Sequence, residues 1–154
     1  MHKRLKFRVW HKKRKKMYEV LHLHTKTWSN GGSWVTAKGF NIITQQNMHI
    51  NIEPSDCEIM QYTGLKDKNN KLIYENDIVT YDSRDLFPHT TIKTGKITWY
   101  KHSWVMSYFD KNIVNAETQK PSLQRMWLGC DDFISSRIEV VGNIYKNEDL
   151  LNAT

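Results

Sequence analysis

The sequence has few of the residues that cross-link or interrupt a chain. Two cysteines, three prolines and seven glycines among 154 residues exclude a disulfide-rich scaffold, a collagen-like repeat and a low-complexity linker. Cys57 and Cys130 lie far apart, which favours two reduced, partly buried thiols over a disulfide framework or a zinc site. Because a chain of this length buries about 70% of its unfolded surface, we expect one apolar core without cross-links.

Long apolar runs are also absent. No stretch approaches the roughly 18 apolar residues of a membrane-spanning helix. The basic N-terminal segment is followed by charged and aromatic residues, where a secretory signal would carry its apolar segment. The sequence therefore predicts a cytoplasmic protein with no membrane partner.

Acidic side chains are missing from the first sixteen residues, which hold nine of the 23 lysines and arginines. The remainder of the chain has 14 basic and 16 acidic residues, a formal charge of about −2. The net charge of +7 is therefore a local feature of the N-terminal segment, on an otherwise nearly neutral chain.

Alternation of apolar and polar residues predicts β-structure along most of the chain. The segments LKFRVW and KMYEVLHLH read as two strands joined by a polar turn, and Asn-Gly-Gly at 30–32 favours a second tight hairpin. Residues 77–81 read as a strand, and GKITWY and WVMSYFD as adjacent antiparallel strands. The segment RIEVVGNIY reads as the last strand, and the acidic residues that follow Asn147 favour a short terminal helix.

Two long motifs resemble those of the YopX family of small phage and prophage proteins. MQYTGLKDKNNKLIYENDIV is similar to the family pattern QYTGLKDKNGKEIYEGDIV, and IEVVGNIYKNEDLL is similar to EVIGNIYENPELL. The start, KFRVW followed by KKMYEV, also resembles the family, whereas residues 22–55 and 82–136 match it only in character. The resemblance implies a small SH3-like barrel in the second half of the chain, and it implies no molecular function, because the family has none assigned.

Departures from the family pattern have a physical interpretation. Asn70 and Asn76 stand where the family has glycine. After glycine, asparagine is among the residues that most readily take the left-handed conformation, so both turns should persist. His11 stands where the family usually has aspartate, which removes an acidic neighbour from the basic segment.

The basic segment HKKRKK has two interpretations. Consecutive cations attract phosphates without regard to sequence, and a neighbouring tryptophan can stack on a base. The candidate nucleic-acid contacts are Trp10, Lys12, Lys13, Arg14, Lys15 and Lys16. The alternative, which we favour, is the solvated tip of a hairpin.

Signals for metal binding and catalysis are weak. His22 and His24 share one face of a predicted strand, but a third ligand would have to come from His49, His102 or a carboxylate. The acidic pairs at Asp131-Asp132 and at Glu75 with Asp77 are better explained by bonds to local backbone. Phosphate-loop, nucleotide-binding, hydrolase and zinc-protease motifs are absent. We predict no enzyme, no metal and no cofactor.

Aromatic residues are concentrated on three predicted strands, at Trp99, Tyr100, Trp104, Tyr108, Phe109 and Trp127. Alternation must direct some of these rings outward. Core or subunit-interface packing is favoured over a ligand groove. The candidate binding or interface surface consists of Trp99, Tyr100, Trp104, Tyr108 and Trp127.

Alternation and turn signals predict a mainly β protein with an N-terminal hairpin region, 1–55. The family resemblance implies that this region packs on an SH3-like barrel with a short terminal helix, 56–154. The predicted function is that of a non-enzymatic phage or prophage accessory protein, a protein-interaction or self-assembly module. Its expected partners are a second copy of itself and an unidentified phage or host protein. The alternative is a nucleic-acid-binding protein that uses the basic loop.

Overall fold

A computed structural model describes residues 5–24, 34–41, 46–82, 84, 92–129 and 136–152. These residues form β-strands in two antiparallel sheets, with one short α-helix near the C-terminus. The predicted mainly β fold and terminal helix are confirmed. The chain divides into two compact units, Met1–Tyr62 and Thr63–Thr154. The predicted division into 1–55 and 56–154 stays a prediction.

The described residues of the first unit form four complete strands and the beginning of a fifth. They are β1 (Phe7–His11), β2 (Lys16–His24), β3 (Trp34–Asn41), β4 (Gln46–Ile52) and β5 (Cys57–Lys66), with a single 3₁₀ turn at Pro54–Asp56. The strands are antiparallel and lie side by side in the order β4-β3-β2-β1-β5. The predicted first hairpin is thus confirmed as β1–β2, whereas the predicted turn at 30–32 lies outside the described residues.

Burial in the first unit centres on β1, which has a strand on each side. Val9 pairs with Tyr18 of β2 and Ile59 of β5, and it is fully buried. The apolar cluster around it is made of Val9, Tyr18, Val35, Ala37, Ile52 and Cys57. β-Branched residues suit this position because they pack well on a pleated surface.

The second unit contains the end of β5 and six further strands. They are β6 (Leu72–Tyr74), β7 (Asp77–Tyr81), β8 (Lys93–Tyr100), β9 (Ser103–Val114), β10 (Pro121–Trp127) and β11 (Ile138–Asn143), followed by helix α1 (Asp149–Asn152). Five of them form an antiparallel sheet in the order β10-β9-β8-β7-β11. The core cluster consists of Ile73, Val79, Ile97, Met106, Leu128, Ile138 and Val140.

Pairing within this sheet confirms the predicted strand at 77–81 and the predicted β8–β9 hairpin. β8 and β9 are joined by Lys101 and His102, both with positive φ (42° and 69°). From this turn the register pairs Trp99 with Trp104 and Ile97 with Met106. Directly opposed residues share a face of the sheet, so this register decides which aromatic rings meet the core.

The motif YTGLKDKNNK forms a turn organised by a buried carboxylate. Asp67 is only 5% exposed. Its Oδ1 accepts hydrogen bonds from the backbone N–H of Asn69 (2.8 Å) and Lys71 (2.9 Å), and its Oδ2 accepts from the N–H of Val140 in β11 (2.9 Å). A carboxylate that accepts three N–H bonds tolerates burial, so this part of the motif serves the fold.

The second part of the motif, IYENDIV, has a similar arrangement. Asp77 is 1% exposed, and its Oδ2 accepts a bond from the N–H of Tyr74 (2.8 Å). Asn70 and Asn76 have φ values of 63° and 62°, which confirms the predicted left-handed conformation at both turns.

Candidate functional site

The basic segment forms the tip of the β1–β2 hairpin. His11 pairs with Lys16, the last pair of the two strands, and residues 12–15 make the turn between them. Lys15 takes the left-handed conformation there, with φ 51°. The prediction that this segment lies at the tip of a hairpin is therefore confirmed.

Two of the tip lysines contact carboxylates. Lys12 Nζ lies 2.8 Å from Glu58 Oε1, and Lys13 Nζ lies 2.6 Å from Asp56 Oδ2. These exposed pairs contribute little stability, but each reduces the positive potential that a phosphate would meet.

The other predicted contacts are divided between exposed and buried positions. Arg14, Lys15 and Lys16 are exposed, with Lys16 Nζ 5.6 Å from the centre of the Tyr18 ring. Trp10, in contrast, is only 4% exposed. The expectation that Trp10 stacks on a base has to be corrected, because at this exposure its ring offers no open face to a base.

The histidines that were considered as metal ligands do not form a site in the part of the chain that the structure describes. His22, His49 and His102 are exposed. Among the described residues there is no group of three His, Cys, Asp or Glu side chains able to hold a metal ion. Asp77 is committed to local backbone, and Asp131, Asp132 and Cys130 lie outside the described residues.

The remaining cysteine, Cys57, is a buried free thiol. Its Sγ donates a long bond to the carbonyl of Pro54 (3.6 Å). Burial, reinforced by the nearby Glu58 carboxylate, raises the pKa of the thiol above its ordinary value. A thiol in this state is a poor nucleophile, so Cys57 belongs to the core.

The face of β8, β9 and β10 opposite the core, called here the outer face, carries a groove and several exposed aromatic and cationic side chains. Register defines its rows: Phe109 beside Leu123; Lys96, Ser107 and Arg125; Thr98, Val105 and Trp127; and Tyr100 beside Ser103. The hydroxyls of Thr98 and Ser107 are 2.8 Å apart. The outer face thus carries aromatic, aliphatic, cationic and hydroxyl groups in adjacent rows.

A groove of about 540 Å³ runs along the outer face. It is lined by residues of strands β8, β9 and β10, by Leu151 of helix α1 and by Glu148 just before the helix. The groove lies within the second unit and is lined by Thr94, Lys96, Thr98, Trp99, Tyr100, Ser107, Tyr108, Phe109, Leu123, Arg125, Glu148 and Leu151.

Tyr100, Arg125 and Trp127 form a contact cluster at one end of the outer face. The Arg125 guanidinium lies 4.2 Å from the centre of the Tyr100 ring, a cation–π distance, and the Tyr100 and Trp127 ring centres are 6.2 Å apart. Lys101 Nζ lies 5.4 Å from the Tyr100 ring. Such contacts restrict the rings before any partner arrives.

The five predicted aromatics occupy both faces of the sheet. Tyr100 and Trp127 belong to the outer face, whereas Trp104 and Tyr108 pack against the core cluster. Trp99 meets Trp104 edge-on at 5.0 Å yet remains 55% exposed. The five residues of the predicted surface therefore do not form one surface, because some lie on the outer face and others pack against the core.

Sequence reasoning missed Lys96, Leu123 and Arg125. Phe109, which was noted in sequence but left out of the predicted surface, is the most exposed ring among the described residues, at 64%. The available signal was spacing, because PSLQRMW places Leu123, Arg125 and Trp127 two residues apart, on one face of a strand.

A second cavity in the same unit is lined by Lys68, Asp82, Arg84, Ser136 and Arg137. Its charges are largely paired: Arg84 Nη2 lies 2.7 Å from Asp82 Oδ2, and Lys68 Nζ lies 2.6 Å from Glu139 Oε2. The hydrogen bond from Arg84 lowers the pKa of Asp82 to about 2. We assign no site here.

Comparison with known proteins gives a family and a fold. The model of the family described as "YopX protein" matches residues 6–152. A solved structure, the crystal structure of protein EF1440 from Enterococcus faecalis, is similar over 96% of this chain and 98% of that chain, with a TM-score of 0.54 and 22% sequence identity. No curated protein matches. None of the helices in the described residues has the length and apolarity that a bilayer crossing requires.

Proposed function

The chain belongs to the YopX family, and on this premise we propose that it acts by binding, as a protein-interaction or self-assembly module without enzymatic activity. In this proposal it is an accessory protein of a phage or prophage and works in the cytoplasm of the bacterial host. The observation that carries the proposal is the groove on the outer face, with Tyr100, Arg125 and Trp127 at one end.

The composition of this cluster supports a macromolecular partner. Tryptophan, tyrosine and arginine are the residue types enriched among the side chains that dominate protein interfaces. Phe109, Leu123 and Trp127 are 64%, 41% and 49% exposed, and exposed apolar groups this close together mark interaction surfaces.

The proposal includes the finer fold, an SH3-like barrel in the second unit. In the order β11-β7-β8-β9-β10 the last strand lies beside the first of the five, followed by the other three in sequence. This connectivity suits a partly open barrel in which β10 and β11 are the two edge strands. The same order supports placing the groove on an outer wall, because Ile97 and Met106 face the core cluster.

Self-assembly is the simplest form of the proposal, with a second copy of the chain as one partner and a phage or host protein as another. Light scattering at micromolar concentration tests the first. We expect a particle heavier than the 18.3 kDa of one chain, and a smaller mass for the double variant Phe109→Ser, Trp127→Ser. A wild-type mass of one chain would exclude self-assembly.

A pull-down from the bacterial host, read by mass spectrometry, tests the second partner. Three baits are compared: wild type, the double variant Arg125→Gln, Trp127→Ser (the groove variant), and Arg14→Gln on the hairpin tip as the matched control. Proteins retained by wild type and control but lost from the groove variant would support the proposal. Identical sets on all three baits would contradict it.

Nucleic-acid binding through the hairpin tip is the alternative function. Exposure of Arg14, Lys15 and Lys16 favours it. The ion pairs of Lys12 and Lys13 and the burial of Trp10 argue against it, so we place it second.

A further inference from the structure

Strand β10 forms one edge of its sheet in the described part of the chain, where β9 is its neighbour. An exposed strand edge offers a row of N–H and C=O groups to another chain. Pro121, at the start of β10, has no N–H and cannot donate to an added strand. The usable edge is therefore 122–127.

Exposure along β10 alternates without interruption. Leu123, Arg125 and Trp127 are exposed on the outer face, and the residues between them are half-buried. A strand added to this edge would direct every second side chain to the same face, beside these three residues. Edge and groove would then engage one extended segment together.

The charges of the groove favour an acidic occupant. Register places Lys96 and Arg125 on either side of Ser107, in one row across three strands. Lys101 lies beside Tyr100 at the same end as Trp127. Among the lining residues the opposing charge is Glu148. Lys93 is already matched by Asp110, at 2.8 Å.

We infer that the outer face binds an extended peptide segment of a partner protein that carries an apolar or aromatic residue, an Asp or Glu, and a second apolar or aromatic residue at every second position. The segment adds as a strand to the edge of β10. Its apolar side chains lie against Leu123 and Trp127, and its carboxylate meets Arg125, which lies between them on the same face. This inference rests on the proposed function and names the partner chemistry for the same groove.

A displayed library of random twelve-residue peptides, selected on the full-length protein, tests the inference. We expect selected peptides to carry an apolar, an acidic and a second apolar residue at every second position, and to have net negative charge. Their affinity should fall about tenfold or more in Arg125→Gln and in Trp127→Ser. It should be unchanged in Arg14→Gln, the matched loss of an exposed arginine on the first unit.

Backbone pairing has its own readout. Methylating one peptide nitrogen at a time should weaken binding at every second position, because alternate N–H groups of an added strand face β10. Selected peptides that depend on Trp127 but show no period of two would overturn strand addition while leaving the proposed function intact.

Three further outcomes count against the inference. Selection of basic peptides would overturn the charge argument. Selection of no peptide, or only of peptides indifferent to Arg125 and Trp127, would overturn both the inference and the groove as the binding site. Displacement of a selected peptide by oligo(dT) at low salt, with direct binding of oligo(dT), would reassign the groove to nucleic acid.

Discussion

The turn that follows Asp67 and the turn at residues 12–15 both reverse the chain within a few charged residues, yet they use charge in opposite ways. In the first, one carboxylate is buried and accepts three backbone N–H bonds. In the second, lysine side chains extend away from the backbone and reach Asp56 and Glu58 at the surface.

The difference follows from side-chain length. Aspartate is short enough to bond its own turn, and so it fixes backbone geometry. Lysine keeps its ammonium group in water on a flexible stem. We therefore expect the first turn to contribute to stability and the second to affect only what the surface attracts.

Asp67→Asn should be the most damaging of the substitutions considered. The amide side chain keeps one acceptor oxygen. Its NH₂ group, which is a donor, then faces a backbone N–H that previously donated to the Asp67 carboxylate. We expect the free energy of unfolding to fall by about 2–4 kcal/mol, measured by urea denaturation. Asp56→Asn, which removes an exposed partner of Lys13, is the control and should cost less than about 1 kcal/mol. Equal losses would remove the contrast between the two turns.

Asn76→Val tests the left-handed backbone conformation in the same motif, and its expected effect on stability is smaller than that of Asp67→Asn. A β-branched residue is strained at φ 62°, so stability should fall by about 1–2 kcal/mol. Asn76→Gly, and Asn70→Gly at the companion turn, should be neutral or slightly stabilising. If Asn76→Val melts at the wild-type temperature, the left-handed turn does not constrain this position.

Replacing the five tip cations, 12–16, with glutamine should leave the melting temperature nearly unchanged, because exposed charges contribute little stability. We expect wild type to bind neither DNA nor RNA more tightly than about 100 µM at low salt, the weak end of non-specific affinity. Tighter binding that weakens on the order of a hundredfold between roughly 50 and 200 mM salt, and that the glutamine variant loses, would instead assign the tip to nucleic acid.

The smallest expected effect is the pH dependence of stability that comes from the Asp82–Arg84 pair. Its hydrogen bonds lower the folded-state pKa of Asp82 to about 2, below the ordinary aspartate value of about 4. The pair's contribution is therefore present above about pH 4 and is lost as the pH falls toward 2. Arg84→Gln should return the pKa of Asp82 toward its ordinary value in a carboxyl NMR titration. An unchanged titration would mean that Arg84 does not hold this carboxylate.

Local signals in the sequence predicted the features that depend on neighbours along the chain. The β1–β2 and β8–β9 hairpins and the strand Asp77–Tyr81 follow from alternation and turn chemistry. The left-handed Asn70 and Asn76 were predicted because they stand where the family pattern has glycine. The family resemblance predicted the YopX membership that the match over 6–152 confirms.

The candidate site was predicted only in part, because alternation separates two faces of a strand without saying which face meets a core. Pairing of Trp99 with Trp104 placed Trp104 against the core cluster, and pairing of Arg125 with Ser107 placed the arginine outside. Trp10 was misjudged for the same reason, since its 4% exposure depends on packing that alternation along the strand does not specify.

The sequence by itself determined the β1–β2 and β8–β9 hairpins, the charged tip and the conformations of two turn asparagines, because these depend on side chains and backbone within a few residues. Tertiary structure alone decided that Asp67 reaches the N–H of Val140 in β11, and that Lys96 and Arg125 flank Ser107 in one row. Contacts between residues distant in sequence are fixed by strand register and packing, and the outer-face groove consists of such contacts.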